Sequence, residues 1–168
     1  EGGVSMLLSL LIASSVFTSQ TVTLEGWKEG KKYELSAMQV PLKDRNGGPV
    51  YLRVDAAEGF MYMMAKAAGE GFFLDVNFAW RSHKAQRALW RYYTKRGITN
   101  RAASPGWSTH QSGLSVDIHG CFRDIKGKRY KTILFWWLRA NGKYFGFYND
   151  IAHEPWHWTF YPDRIKQR

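Results

Sequence analysis

Four side chains suited to metal-assisted hydrolysis lie in two short stretches of the chain. The stretch STHQSGLSVDIHG (108–120) holds His110 and Asp117, and the stretch HEPWH further along holds Glu154 and His157. A zinc hydrolase needs imidazole and carboxylate ligands with one coordination position left open for water. It also needs a carboxylate that is not a ligand, to take the proton from that water. The two stretches together contain groups for both tasks.

The first stretch reads as a loop that feeds a strand. GLSVDIH (113–119) alternates apolar and polar residues, which predicts a strand carrying Asp117, with His110 on the loop before it. Gly113 allows a tight turn between the two side chains. His119 lies on the same predicted face as Asp117 and stays a rival ligand on spacing alone.

The second stretch reads as a turn that opens the last strand. Pro155 favours an extended or turning backbone at Glu154, and WHWTFYP (156–162) is apolar and β-prone. His157 then stands at the start of this strand. If the two strands pair, Asp117 and His157 converge.

The remaining chain mixes helices and strands without regular βαβ units. Helical spacing predicts a helix over 55–68, opened by the capping-box spacing of Asp55 and Glu58. The other expected elements are a strand at 72–80, a helix from the Ser82 cap to Gly97, a loop or hairpin after Gly120, a helix from the Thr132 cap to Asn141, and a short strand at 144–150. This pattern predicts an α+β fold with an antiparallel sheet.

Length and composition indicate one globular domain. The chain has 168 residues with 45% hydrophobic content, which suits a single core. We expect one domain over 1–168, with a helical or irregular N-terminal extension at 1–49 and a motif-bearing core at 50–162. The apolar run Met6–Phe17 is too short for a membrane span and lacks a preceding basic region. We expect a folded first helix there, no transmembrane segment, and no visible targeting signal.

Charge and cysteine content limit the partners. The net charge of +10 predicts attraction to polyanions such as nucleic acid, anionic lipid or cell-wall polymer. The basic residues are spread along the chain, which argues against a nucleic-acid-binding arm. The single cysteine, Cys121, excludes an internal disulfide and is compatible with an oxidising compartment.

Three motifs in order resemble one family. SxHxxGxxxD (Ser108 to Asp117), ExWH (Glu154 to His157) and the upstream AWRSHKAQ (79–86) are similar to motifs of the VanY-type zinc D-alanyl-D-alanine carboxypeptidases. This group is related to lysostaphin-like endopeptidases and to the hedgehog signalling domain. The resemblance spans residues 50–162.

The resemblance implies a set of roles. One zinc ion per chain is held by His110, Asp117 and His157, on a small antiparallel sheet with flanking helices. Glu154 serves as general base and then as proton donor to the leaving amine, and Arg81 stabilises the oxyanion or holds a substrate carboxylate. The expected substrate contacts are Ser108, Gln86, Ser115 and Trp156. The same ligand set leaves His119 without a role.

The implied function is hydrolysis of peptidoglycan stem peptides, with removal of a terminal D-alanine favoured. We expect a monomer that acts in the periplasm, the cell envelope or outside the cell, with no nucleic-acid partner. One alternative is an endopeptidase of the same chemistry, L,D or D,D, acting as a lysin or delivered toxin in a cleft open at both ends. A zinc-containing binding module is the non-enzyme alternative, and the presence of Glu154 argues against it. A nucleic-acid-binding protein lacks any supporting motif.

Overall fold

The computed structural model describes residues 20–167. The apolar run expected to form a first helix, Met6–Phe17, lies outside the described residues. The described chain begins with a three-stranded antiparallel sheet of β1 (Thr21–Lys28), β2 (Lys31–Lys43) and β3 (Pro49–Arg53).

The expected helical or irregular extension at 1–49 is therefore wrong for residues 21–43. The strand pattern is visible in β2, where buried Leu35 and Ala37 alternate with exposed Glu34 and Ser36. This period of two matches a strand with one face against the core. Pairing with β1 satisfies the backbone of one edge and pairing with β3 satisfies the other.

Helix α1 (Val54–Gly69) agrees with the predicted helix over 55–68 and packs against β2 and β3. Its N-terminus differs from the prediction. Arg53 occupies the N-cap position without a side-chain cap, and the Asp55 carboxylate accepts hydrogen bonds from the Arg53 guanidinium at 2.6 Å. The predicted capping box of Asp55 and Glu58 does not form, because Asp55 already lies inside the helix and its carboxylate is taken up by Arg53.

The chain after α1 forms shorter strands than the sequence predicts. The elements are β4 (Val76–Phe78), α2 (His83–Thr94), β5 (Ser115–Ile118), β6 (Phe122–Ile125), β7 (Lys128–Lys131), α3 (Ile133–Asn141), a 3-10 helix (Gly142–Phe145), β8 (Phe147–Tyr148), β9 (His157–Phe160) and a 3-10 helix (Pro162–Arg164). Ser82 and Thr132 cap α2 and α3 as predicted, accepting from the amides of Ala85 and Phe135. The strand expected at 144–150 shrinks to two residues, because the 3-10 helix includes Tyr144 and Phe145 and the strand ends at Tyr148.

A four-stranded antiparallel sheet in the order β4-β5-β9-β8 carries Asp117 and His157, while β6 and β7 form a separate hairpin. One buried cluster joins both larger sheets, α1 and α3. Its largest fully buried side chains include Trp158, Phe60 and Phe135. The predicted α+β fold with a small antiparallel sheet and flanking helices is confirmed. Within residues 20–167, no helix has the length and apolar character needed to cross a membrane.

Candidate metal centre and catalytic cleft

The three predicted ligands meet at one end of the β5–β9 pair. Asp117 on β5 and His157 on β9 are direct cross-strand partners, so their side chains leave the same face of the sheet. His110 reaches them from the loop before β5. Gly113 allows this approach, because its φ is +67° and a Cβ there would lie 2.7 Å from the Arg53 amide nitrogen.

The donor atoms of these residues have the spacing that a small ion requires. His110 Nε2 lies 3.2 Å from His157 Nδ1 and 3.4 Å from an oxygen of Asp117, and His157 Nδ1 lies 3.1 Å from the same oxygen. Ligands at about 2.0–2.1 Å from a tetrahedral zinc ion are about 3.3 Å from one another. All three side chains are buried. Two imidazoles and one carboxylate at this spacing would fit a zinc ion, and all three residues line the same cavity.

Both histidines have a partner for the ring nitrogen that faces away from the cluster. His110 Nδ1 lies 2.7 Å from the Ala79 carbonyl oxygen, which accepts its N–H and leaves Nε2 free as a donor to a metal. His157 Nε2 lies 3.1 Å from the Thr159 hydroxyl, so Nδ1 faces the cluster. The tautomer of each ring thus follows from a fixed neighbour.

Asp117 is held in its charged form. Burial by itself would raise the pKa of this carboxyl, but the imidazoles of His110 and His157, when they are protonated, hold its pKa well below the usual range by their charge and hydrogen bonds. A carboxylate that stays ionised is the form that binds a cation. The site therefore presents one negative charge among two imidazoles.

Glu154 stands beside the cluster on a tightly held turn. Its amide donates to the Ile151 carbonyl at 2.9 Å, and the Asn149 side chain donates to the carbonyls of Glu154 and His157, each at 2.8 Å. Its side chain is 17% exposed and lines the same cavity as the three ligands. A partly exposed carboxylate beside the cluster is placed to exchange protons with a reacting group.

Arg81 lies in the cleft with its guanidinium held by Gln86. Its Nη1 donates to Gln86 Oε1 at 2.9 Å, and the Gln86 amide donates to the Ala103 carbonyl at 2.8 Å. Burial lowers the pKa of Arg81, while the carboxylates of Asp117 and Glu154 raise it. All three side chains line the same cavity. Gln86 is almost fully buried, and its bonds orient Arg81.

The other predicted contacts fall in different places. Ser108 and Trp156 line the cavity, and the Trp156 ring packs at 5.2 Å on the Phe122 ring. Ser115 is fully buried, with its hydroxyl 2.6 Å from that of Thr109 and 2.9 Å from that of Thr159. These contacts link β5 to β9 and to the loop before β5, so Ser115 supports the segments that carry the ligands. This geometry gives the predicted substrate contact of Ser115 no support.

The histidines outside the predicted ligand set do not join the three clustered donor atoms, although His153 lines the same cavity. His119 is exposed at the end of β5, and His153 is exposed beside Glu154, with 3.9 Å between the ring nitrogen and the carboxylate. His83 stacks on Trp27 with ring centroids 4.0 Å apart. The structure thus brings together His110, Asp117 and His157 and leaves the rival His119 outside.

The cavity over the cluster has a volume of about 540 Å³. The three ligands, Glu154 and Arg81 line it together with Phe78, Leu89, Tyr93 and Trp107. A cleft that combines aromatic and apolar side chains with convergent polar groups is the usual form of a site for a small ligand or peptide end.

Sequence reasoning missed three supporting residues. Thr159 and Asp150 lie behind His157, and Asn149 holds the turn of Glu154. Only Thr159 carried a signal, because it lies two residues after His157 on a strand and so shares its face. Asp150 and Asn149 sit in a loop whose path periodicity does not predict.

The family model described as VanY, D-alanyl-D-alanine carboxypeptidase, matches residues 49–163, which is more than half of the chain. No curated protein matches the chain.

Several solved structures are similar to this chain. "VanYB in complex with D-Alanine-D-Alanine" has a TM-score of 0.55 and 21% identity, covering 80% of this chain and 84% of that chain. The D,D-pentapeptidase VanY from a VanB-type resistance cassette, in complex with Zn(II), has a TM-score of 0.52 and 22% identity, covering 76% and 79%. The LD-carboxypeptidase LdcB has a TM-score of 0.56 and 22% identity, covering 87% and 70%. At these identities the likeness establishes a shared fold.

Proposed function

Because this chain belongs to the VanY family of D-alanyl-D-alanine carboxypeptidases, we propose that it is a zinc-dependent peptidase that removes the terminal D-alanine from peptidoglycan stem peptides. The observation that carries the proposal is the cluster of His110, Asp117 and His157 with Glu154 in the same cavity. One similar structure holds D-alanyl-D-alanine and another holds Zn(II), which agrees with this substrate and this metal.

Each polar side chain of this site has its own role in the reaction. Zinc, when bound, supplies a Lewis acid that activates water and polarises the scissile carbonyl. Glu154 accepts the proton of the attacking water and delivers it to the amine that leaves as D-alanine. Arg81 offers a planar fork to the terminal carboxylate or to the negative charge that develops on the carbonyl oxygen. Gln86 fixes the direction of that fork.

The substitution Glu154→Gln tests the assigned base. It keeps the shape and burial of the side chain but cannot accept a proton, so we expect zinc binding to remain and kcat to fall about 10²- to 10⁴-fold. Turnover is measured by mass spectrometry as loss of single D-alanine residues from muropeptides. His153→Gln is the matched control, since it changes the exposed neighbour and leaves Glu154 in place. Full activity in Glu154→Gln contradicts the mechanism.

The choice of substrate is tested by the products. Release of D-alanine from a stem that ends in D-Ala-D-Ala supports the proposed reaction. Release from a stem that ends in a single D-alanine indicates the L,D reaction instead, and splitting of cross-linked dimers indicates an endopeptidase. We expect that removal of zinc with a chelator abolishes the reaction and that added zinc restores it.

The proposed substrate places the enzyme on the extracytoplasmic side of the membrane or outside the cell. Peptidoglycan is assembled there, and a hydrolase of its stem peptides must reach it. The monomeric state expected from the sequence stays a prediction.

A further inference from the structure

Helix α2 has two opposite faces with different character. Gln86, Leu89 and Tyr93 line the catalytic cavity. On the other side stand four exposed cations, Lys84, Arg87, Arg91 and Lys95. We call these four residues the α2 stripe.

The α2 stripe is continuous. At 3.6 residues per turn, its members fall within an arc of about 80° and extend over about 16 Å of helix axis. Arg87, Arg91 and Lys95 follow one another at intervals of four residues, where like charges repel and destabilise a helix. Lys84 stands in the first turn, where the helix dipole disfavours a positive charge. Arg91 lies in the last turn and Lys95 is the C-cap, where the dipole favours a positive charge. The cost of the stripe to the helix therefore comes from repulsion between neighbouring cations and from the position of Lys84.

The charge of the stripe is not balanced nearby. No Asp or Glu occurs in residues 76–116, which contain seven Lys or Arg residues. Among the described residues, the four cations of the stripe form no salt bridge. Four solvated cations in a row attract a polyanion by releasing its counterions.

We propose that the α2 stripe docks the enzyme on a linear phosphodiester polymer attached to the cell wall. The guanidinium groups of Arg87 and Arg91 suit phosphate oxygens because their donors form a planar fork. A membrane surface is disfavoured, because Ala85, Ala88 and Tyr92 beside the stripe lack the large apolar face of an interfacial helix. The choice of a wall polymer rests on the proposed function.

Docking on this face suits the position of the cleft. One face of α2 lines the cavity, and the α2 stripe lies on the opposite face. A polymer bound to the stripe therefore keeps the cavity close to the cell wall. We expect this binding to lengthen the time that the enzyme spends on the cell wall. Turnover of a soluble stem peptide should not change.

The test compares two variants of equal charge change. Lys84, Arg87, Arg91 and Lys95 are changed to Gln in one, and Lys31, Lys43, Arg123 and Lys128, on β2 and the β6–β7 hairpin, are changed to Gln in the other. Gln is a good helix former, so α2 is expected to fold in both; circular dichroism checks this, and the pair Arg87→Gln with Arg91→Gln serves as a milder variant. Binding is measured by cosedimentation with purified walls that carry phosphodiester polymers, and with the same walls after hydrofluoric acid has removed them.

We expect the stripe variant to lose at least about tenfold in wall affinity at about 0.15 M salt and to show a flatter salt dependence. The control variant and turnover of a soluble stem peptide stay near wild type. Wild-type protein loses the same affinity on acid-treated walls. An equal loss in the control variant, undiminished binding to acid-treated walls, or preferential binding to anionic lipid vesicles or DNA overturns the proposal. If the protein binds cell walls as expected but hydrolyses no stem peptide, the proposed function is refuted and the docking role of the α2 stripe is not.

Discussion

At the residue scale, the Thr159 hydroxyl contacts three polar side chains beside the candidate metal centre. Its oxygen lies 3.1 Å from His157 Nε2, 3.1 Å from an Asp150 oxygen and 2.9 Å from the Ser115 hydroxyl. A hydroxyl has one proton and two lone pairs. Since the Asp150 carboxylate only accepts, the proton of Thr159 goes there, and the oxygen accepts the His157 N–H. Thr159 thus links a carboxylate to a candidate metal ligand.

Thr159→Val and Thr159→Ser separate this role from packing. Val keeps the shape but leaves the His157 N–H without an acceptor, so we expect zinc affinity to fall about 10- to 100-fold. Ser keeps the hydroxyl and is expected to stay near wild type. Zinc affinity is measured by competition with a chromophoric chelator. Equal affinity in the wild type and the Val variant contradicts the role.

The sequence pointed to the chemically distinctive residues of this candidate site and did not point to its common ones. The resemblance to the VanY family, based on motifs around His110 and Glu154, is confirmed by the family match. Thr159 and Asp150 were missed because hydroxyls and carboxylates occur throughout any surface. Ser115 was predicted as a substrate contact from its position near Asp117. That position does not reveal that the Ser115 side chain is buried in the interior.

At the element scale, the β6–β7 hairpin is tied to the turn that carries Glu154. The Arg129 guanidinium lies 5.0 Å from the Trp156 ring and 5.3 Å from the Phe122 ring, and its Nη1 donates to the His153 carbonyl at 3.2 Å. Stacking and hydrogen bonding by one guanidinium fix the turn from outside. Asn149 fixes the same turn from inside.

Arg129→Lys is expected to loosen this turn. Lys keeps the charge but lacks the planar fork, so the His153 contact and the stacking weaken together. A small displacement of a catalytic group lowers turnover steeply, and we expect kcat to fall about tenfold while zinc affinity stays unchanged. Arg123→Lys, in the same hairpin, is the control. The role is refuted if the two variants have the same kcat.

Local patterns predicted these elements better than their pairing. The alternation in GLSVDIH indicated the strand that became β5, and the caps Ser82 and Thr132 marked two helix starts. The pairing of Asp117 with His157 joins distant parts of the chain, and periodicity holds no information on the partner of a strand. From the sequence, the convergence of Asp117 and His157 could therefore be predicted only on the assumption that their strands pair.

At the scale of the whole molecule, the N-terminal sheet supports the site although the family match begins only at residue 49. The Trp27 amide donates to the Gln111 carbonyl at 3.1 Å, and the Gln111 side chain accepts from the Gly106 amide at 2.7 Å. The loop that carries His110 is thus fastened to β1. Because one buried cluster also joins both sheets, the metal centre and the core are expected to open together.

Cys121 allows a direct test of this coupling. It is the single cysteine of the chain, lies fully buried in the core, and burial raises the pKa of its thiol to about 12. A thiol reagent at pH 8 therefore modifies it only when the core opens. Zinc at about 100 times its Kd stabilises the native state by about 2.7 kcal/mol, so we expect labelling to slow about 100-fold. His110→Ala, which removes one ligand, is expected to show no response to zinc. A zinc-independent labelling rate in the wild-type protein means that Cys121 becomes accessible by local motion, and that the site and the core open separately.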